Sequence, residues 1–230
     1  MMRIDLWKLL GTSLILWGHL WTAPFRATAD TPPSETASET ASGLGKVVAE
    51  FALADVDGKT HRLSDVEDQA VVVIAFLGTE CPLAKLYATR LAELARHYEP
   101  QGVVFFGVNS NCQDTLRELA AYGQRHQIPF PLLKDVGNRL ADQMHAQRTP
   151  EVFVLDQQRK IRYTGRIDDQ YSVGVSRDQP QQQDLRDALE DLLAGRTVRQ
   201  PRTVAVGCHI GRLQQPRENA PVTYSRQIAR

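Results

Sequence analysis

The stretch VVVIAFLGTECPLAKLYATRLAELARHY, residues 71–98, decides the fold class. Val71–Leu77 is an unbroken apolar run rich in β-branched residues, the pattern of a strand buried on both faces. Gly78-Thr79-Glu80 interrupts the run. Cys81-Pro82 then opens a helical repeat with apolar residues at Leu83, Leu86, Tyr87, Leu91, Leu94 and Ala95. Proline in the first helical turn forfeits no hydrogen bond, because that N–H has no partner inside the helix. Cys81 therefore falls at the N-cap, beyond the carboxyl end of a buried strand, where open α/β sheets place their chemistry. Free N–H groups and the helix dipole favour a thiolate there. Lys85, one turn on, is expected to add positive charge over the same end. The competing reading is an inert core cysteine; the strand–Cys–Pro–helix context favours the reactive thiol.

Working outward, Pro100-Gln101-Gly102 ends the helix and Val103–Val108 forms a second buried strand. Asn109–Asp114 follows as a polar loop. Thr115–His126 reads as a helix with Leu116, Leu119, Ala120 and Tyr122 inward. Strand, helix, strand, helix is a βαβ pattern, so the two strands are expected to be parallel neighbours joined by a right-handed crossover. Cys81 and Cys112 then share one rim of the sheet. Upstream, Phe51 and Leu53 alternate with Ala52 and Ala54, and Asp55-Val56-Asp57-Gly58 turns the chain back into Lys59–Leu63, a hairpin. Ser64 and Asp65 look like a cap on a short helical turn. Downstream come a short extended piece at Pro129–Leu133, a short helix at Gly137–His145, and a strand at Val152–Leu155. Asp156–Arg159 turns into a paired strand at Lys160–Gly165. Asp184–Ala194 is a helix with Leu185, Leu189, Leu192 and Leu193 on one face.

A chain of 230 residues with 42% hydrophobic content suits one core. Lys+Arg and Asp+Glu both number 27, and no basic stripe carries interleaved aromatics, so nucleic acid is not an expected partner. Arg3 and Lys8, the apolar run Leu9–Trp21 and the small residues Ala27-Thr28-Ala29 make a signal peptide over 1–29, cleaved before Asp30. The apolar run falls short of the roughly 20 residues a span requires. Membrane contact is therefore expected only through that segment, and the mature protein is expected to be exported to the periplasm or beyond. Residues 30–44, rich in Pro, Ser, Thr and Glu, read as a flexible linker. The domain then spans 45–212, and 213–230 is a polar tail.

Three cysteines, Cys81, Cys112 and Cys208, leave an odd thiol in an oxidising compartment. No C-x-x-C and no C-x-x-C-H is present, so neither a one-loop dithiol nor covalent haem is expected. No ligand pair at close spacing suggests zinc. No cofactor is expected.

Taken together, TECPLAKLY after the first core strand, GVNSN after the second, RTPEVFVLD, YTGRIDDQY and VGCHIGR resemble the thioredoxin-fold redoxins, specifically the peroxiredoxin-like AhpC/TSA branch. The resemblance runs from about Gly45 to Arg212. It implies an α/β, thioredoxin-like three-layer sandwich, here with an N-terminal β-hairpin extension. It also implies a cis Thr149–Pro150 bond facing the redox cysteine, with the Thr149 backbone offered to an incoming extended partner. Cys208 matches a tail cysteine of similar chains. Arg148 is placed to steady a thiolate or a peroxide oxygen, or is a surface arginine.

Two departures stand beside these matches. The threonine that peroxiredoxins carry three residues before the peroxidatic cysteine is Gly78 here, with Thr79 one step off. The positions three away from Cys81 on either side hold Gly78 and Ala84, not a second cysteine. The catalytic candidates are thus Cys81, Cys208, Thr149, Pro150 and Arg148, with Cys81 as nucleophile and a disulfide, thiol or peroxide as partner. Cys208, Cys112 or an external thiol resolves it, Cys208 being preferred over Cys112. Asp168 and Asp169 are expected to fix a turn rather than move protons. The alternatives are a copper(I) site built from Cys81, Cys208 and His209, and a redox-silent domain.

Overall fold

A computed structural model of the chain describes residues 43–213. The signal segment, all of the linker except Gly43 and Leu44, and the tail beyond Leu213 lie outside the described residues. Leu44 is already packed against the core.

The first elements are β1 (Ala52–Ala54) and β2 (Thr60–Arg62), an antiparallel hairpin. Its turn is closed by the Asp55 carboxylate, which accepts the N–H groups of Asp57 and Lys59 at 3.0 and 2.9 Å. Gly58 supplies the positive φ of 84° that this turn requires. A 3-10 turn at Leu63–Val66 leads into β3 (Val71–Phe76). That turn is capped by Asp65, which accepts the Arg62 N–H at 2.8 Å, rather than by Ser64.

Next come β4 (Val103–Asn109), β5 (Leu132–Lys134), the two-residue β6 (Arg148–Thr149), β7 (Glu151–Leu155) and β8 (Ile161–Gly165). The main sheet has the order β5-β4-β3-β7-β8. β3 and β4 are parallel, Val71 facing Val103, whereas β7 runs antiparallel to β3. Two small pairs complete the strands. β9 (Tyr171–Ser172) meets β10 (Val175–Ser176), and β11 (Cys208–His209) meets β6.

The helices are α1 (Pro82–Tyr98), α2 (Leu116–Arg125), α3 (Arg139–Met144) and α4 (Asp184–Leu193). Every residue of β3 is buried, and its alternation divides the core in two. Val71, Val73, Ala75 and Leu77 face α1, α2 and α4 through Leu91, Leu119 and Leu189. Val72, Ile74 and Phe76 face α3 and the hairpin through Leu140, Met144, Phe51 and Leu63. Helices on one face and a helix with the hairpin on the other make the expected three-layer sandwich.

Two helical faces differ from the sequence reading. Leu86 and Leu116 are exposed, at 52% and 48%. In α1 the small residues Ala84 and Ala88 are buried instead, which lets the helix lie close to the sheet. In α2 the position of Leu116 is set by the cap. Thr115 and Glu118 exchange bonds, Glu118 N–H to Thr115 Oγ1 at 3.2 Å and Thr115 N–H to Glu118 Oε2 at 2.8 Å, a capping box that turns the first helical residue outward.

Candidate active site

Cys81 is the N-cap of α1, with Pro82 at the first helical position. The loop that delivers it is held from behind. The buried Asp114 carboxylate accepts the Thr79 N–H at 2.9 Å, together with the side-chain amides of Asn109 at 2.6 Å and Asn111 at 3.0 Å. These donors hold the Asp114 carboxyl below the usual range against a burial cost that pushes it up. Lys134 closes the far side, its ammonium donating to Asn109 Oδ1 and to the Asn111 and Asp114 carbonyls at 2.6–2.7 Å.

Cys81 is 4% exposed and its S–H donates to the Thr149 carbonyl at 2.8 Å. The Thr149–Pro150 peptide is cis, as the family resemblance implied. The Thr149 hydroxyl is fully buried and bonds to no other group among the described residues, which leaves it free to turn its proton to the sulfur. Burial pushes the Cys81 thiol up. The Cys208 N–H, the Ala84 N–H, the Thr149 hydroxyl and the Cys208 thiol outweigh that penalty, and the net shift is downward. Ala84 contributes one of the unpaired amides of the first helical turn, so part of the effect is the N-terminus expected from the sequence. Tyr122 supports that turn, its hydroxyl donating to the Ala84 carbonyl at 2.8 Å.

Cys208 arrives from the far end of the chain. β11 runs antiparallel to β6, with Cys208 opposite Thr149 and His209 opposite Arg148. Gly207 passes so close that a Cβ there would stand 2.0 Å from the Thr149 carbonyl oxygen; only glycine fits. Arg148 Nη1 donates to the Gly207 carbonyl at 2.8 Å, and the Ile210 N–H to the Gln147 carbonyl at 3.0 Å. Ile210 is buried in the core. The Gly211 N–H donates to Asn111 Oδ1 at 2.8 Å, so the loop that fixes Cys81 also fixes this strap. Burial and the neighbouring Cys81 sulfur push the Cys208 thiol up, the reverse of the shift at Cys81. Both thiols are unbridged, Cys81 buried and Cys208 exposed.

An AhpC/TSA family model matches residues 44–164, which takes in the cysteine loop, the sheet and the cis proline. The chain belongs to the AhpC/TSA family. Among similar proteins, the thiol-disulfide oxidoreductase ResA of Geobacillus thermodenitrificans is 26% identical over 124 residues, covering 54% of this chain and 70% of that one. The chloroplastic peroxiredoxin Q of Triticum aestivum is 27% identical over 158 residues, covering 63% and 71%. A solved structure of a hypothetical protein from Sinorhizobium meliloti 1021 superposes with a TM-score of 0.70 at 30% identity, covering 75% of this chain and 96% of that one.

Several residues of this AhpC/TSA chain sit differently from the sequence reading. Lys85 pairs with Glu80 at 3.0 Å, and the groups that favour the Cys81 thiolate are the backbone and hydroxyl donors named above. The Arg148 guanidinium holds the strap through the Gly207 carbonyl, and its charge opposes the net upward shift of the Cys208 thiol. The Thr149 backbone edge, expected to be open to a partner, is occupied by β11. Among the described residues no three His, Cys, Asp or Glu side chains gather to hold a metal.

Cys112 is exposed, and its backbone N–H bonds to the Gly211 carbonyl at 3.0 Å. Asp168 accepts the Tyr87 hydroxyl at 2.6 Å, the Gln170 N–H at 2.9 Å and the Arg90 guanidinium, and Asp169 accepts the N–H groups of Gln181 and Gln182. Both carboxylates fix turns. The residues not singled out from the sequence are Asp114, Asn111, Lys134 and Gly207. Only the glycine in VGCHIGR carried a sign of its role, and its meaning depends on the strand it crosses.

Proposed function

We propose that the chain is an exported thiol–disulfide oxidoreductase whose redox centre is Cys81 with Cys208. The observation that carries this is the seating of β11 beside Thr149–Pro150, which sets the Cys208 N–H and thiol at the Cys81 sulfur. Cys81 is the nucleophile that closes the internal disulfide. Its thiolate attacks a disulfide sulfur, the old S–S bond breaks, and the departing thiolate takes up a proton. Over the full cycle the two cysteine thiols give two electrons and two protons to the substrate disulfide, leaving a Cys81–Cys208 bond and two substrate thiols. Thr149 and Pro150 wall the site, and Arg148 positions the strap. The names of the similar proteins, thiol-disulfide oxidoreductase and peroxiredoxin, support a substrate with a reducible S–S or O–O bond. The disulfide is favoured because a Cβ at Gly78 would meet Asn111 Nδ2 at 2.7 Å and Thr149 Oγ1 at 3.0 Å, which leaves no room for a peroxide-binding threonine there.

Export is supported by the basic start, the apolar run and Ala27-Thr28-Ala29. Mass spectrometry of the secreted product should find Asp30 as its first residue; an intact Met1 on a protein retained in the cytoplasm would refute it. The redox reading is tested by treating the reduced Cys112→Ser variant with oxidised glutathione. An internal disulfide and two released glutathiones per chain are expected. Persistence of both protein thiols would defeat the reading.

A further inference from the structure

Cys81 and Cys208 differ in a way that decides which of them meets the outside. Cys81 is 4% exposed and lies beneath Thr149 and the strap, while Cys208 is exposed on the strap itself. The strap is anchored on both sides of Cys208, by Arg148 on the Gly207 carbonyl at 2.8 Å and by the Ile210 N–H on the Gln147 carbonyl at 3.0 Å. An extended polypeptide docks by adding a strand to a free edge. Beside Thr149 that edge already carries Gly207–His209, packed so closely that not even a methyl group fits at Gly207.

We propose that Cys208, not Cys81, is the sulfur that exchanges with outside thiols and disulfides, and that β11 restricts the substrate to low-molecular-weight disulfides and thiols by filling the edge a polypeptide strand would use. The inference rests on the redox pair proposed above. In the forward direction the Cys208 thiolate attacks one sulfur of a small disulfide RSSR, the S–S bond breaks, and RS⁻ leaves with a proton from solvent. The Cys81 thiolate then attacks the Cys208 sulfur of the mixed disulfide and expels the second RS⁻. The two cysteines are oxidised to the internal disulfide and RSSR is reduced to two RSH. In reverse, a small thiolate attacks the exposed Cys208 sulfur, and Cys81 departs. Cys81 is the better leaving group because the buried donors around it favour its thiolate.

The test uses three chains, all carrying Cys112→Ser: one with both remaining cysteines, one with Cys81→Ser and one with Cys208→Ser. Each is mixed with oxidised glutathione at pH 8, and glutathionylation is followed by intact mass. Cys208 in the Cys81→Ser chain is expected to react at least about tenfold faster than Cys81 in the Cys208→Ser chain. Adding Gly207→Ala to the latter unseats the strap and should raise the rate at Cys81 at least about fivefold. Circular dichroism of that chain shows whether the fold is intact, and the comparison of the first two chains stands without it. An internal disulfide in the two-cysteine chain together with equal or faster reaction at Cys81 overturns the proposal alone. No internal disulfide at all overturns the redox reading and this proposal with it.

Discussion

Asp114 offers the sharpest test of how the cysteine loop is held. The residue is 4% exposed, and its carboxylate gathers three donors, the Thr79 N–H at 2.9 Å, Asn109 Nδ2 at 2.6 Å and Asn111 Nδ2 at 3.0 Å. Asp114→Ala removes the shared acceptor and leaves those donors buried. An orphaned buried donor costs about 1–3 kcal/mol. Taking the lower half of that range for each, because water can enter the space left by the carboxylate, gives a loss of about 3–6 kcal/mol. That is a large part of the 5–15 kcal/mol typical of a domain. Asp114→Asn keeps one oxygen acceptor and is expected to lose roughly half as much.

Urea unfolding followed by circular dichroism should show the midpoint falling with an unchanged slope. The pH dependence follows from the same contacts. A carboxyl held below its unfolded value, about 3.9, contributes stability that is complete above that pH and lost as pH falls through the folded value. The wild-type chain should therefore weaken below about pH 4 more steeply than Asp114→Ala. A loss under about 1 kcal/mol in Asp114→Ala, or parallel acid limbs for the two proteins, would refute the anchoring role.

Two further outcomes are expected. Iodoacetamide reaction of Cys81, measured by peptide mass against pH in the Cys112→Ser, Cys208→Ser chain, should show a midpoint below the free-thiol value of about 8.5, and Thr149→Val should raise it by removing the buried hydroxyl donor; a midpoint at or above 8.5 would contradict the donor account. Gly78→Ala pushes a methyl to 2.7 Å from Asn111 Nδ2 and 3.0 Å from Thr149 Oγ1, so it should destabilise the protein by about 1–3 kcal/mol in a thermal melt, and a neutral effect would show that the loop has slack.

The main sheet and the place of Cys81 could be read from the sequence because they rest on local, strongly patterned signals. Val71–Leu77 is apolar at every position and fills two core faces, and Cys81-Pro82 sits where a helix can begin without losing a bond. The hairpin was legible for a similar reason, since Asp55 and Gly58 carry the turn chemistry on their own. The second half of the site was not. β11 is two residues long, and its pairing with β6 depends on Ile210 entering the core, on Arg148 reaching Gly207 and on Asn111 gripping Gly211. None of these leaves a period in the sequence.

Asp114 lies in a polar loop with no pattern that singles it out, and only the fold brings Thr79 to it across 35 residues. Lys85 misled because charge at the right helical turn says nothing about which carboxylate lies nearer. Glu80, five residues before it, takes the ion pair. Leu86 and Leu116 misled because apolar character was read as inward-facing, whereas close helix–sheet packing selected Ala84 and Ala88 and a capping box rotated Leu116 outward.

The central claim is that Cys81 and Cys208 form one redox pair, and peptide mapping of the oxidised protein tests it most directly. The wild-type chain, oxidised with glutathione disulfide, alkylated and digested without reductant, should yield one linked species joining the Cys81 peptide to the Cys208 peptide, with Cys112 recovered as a free or glutathionylated thiol. A Cys81–Cys112 linked peptide, or full recovery of Cys81 and Cys208 as unlinked alkylated peptides, would contradict the account.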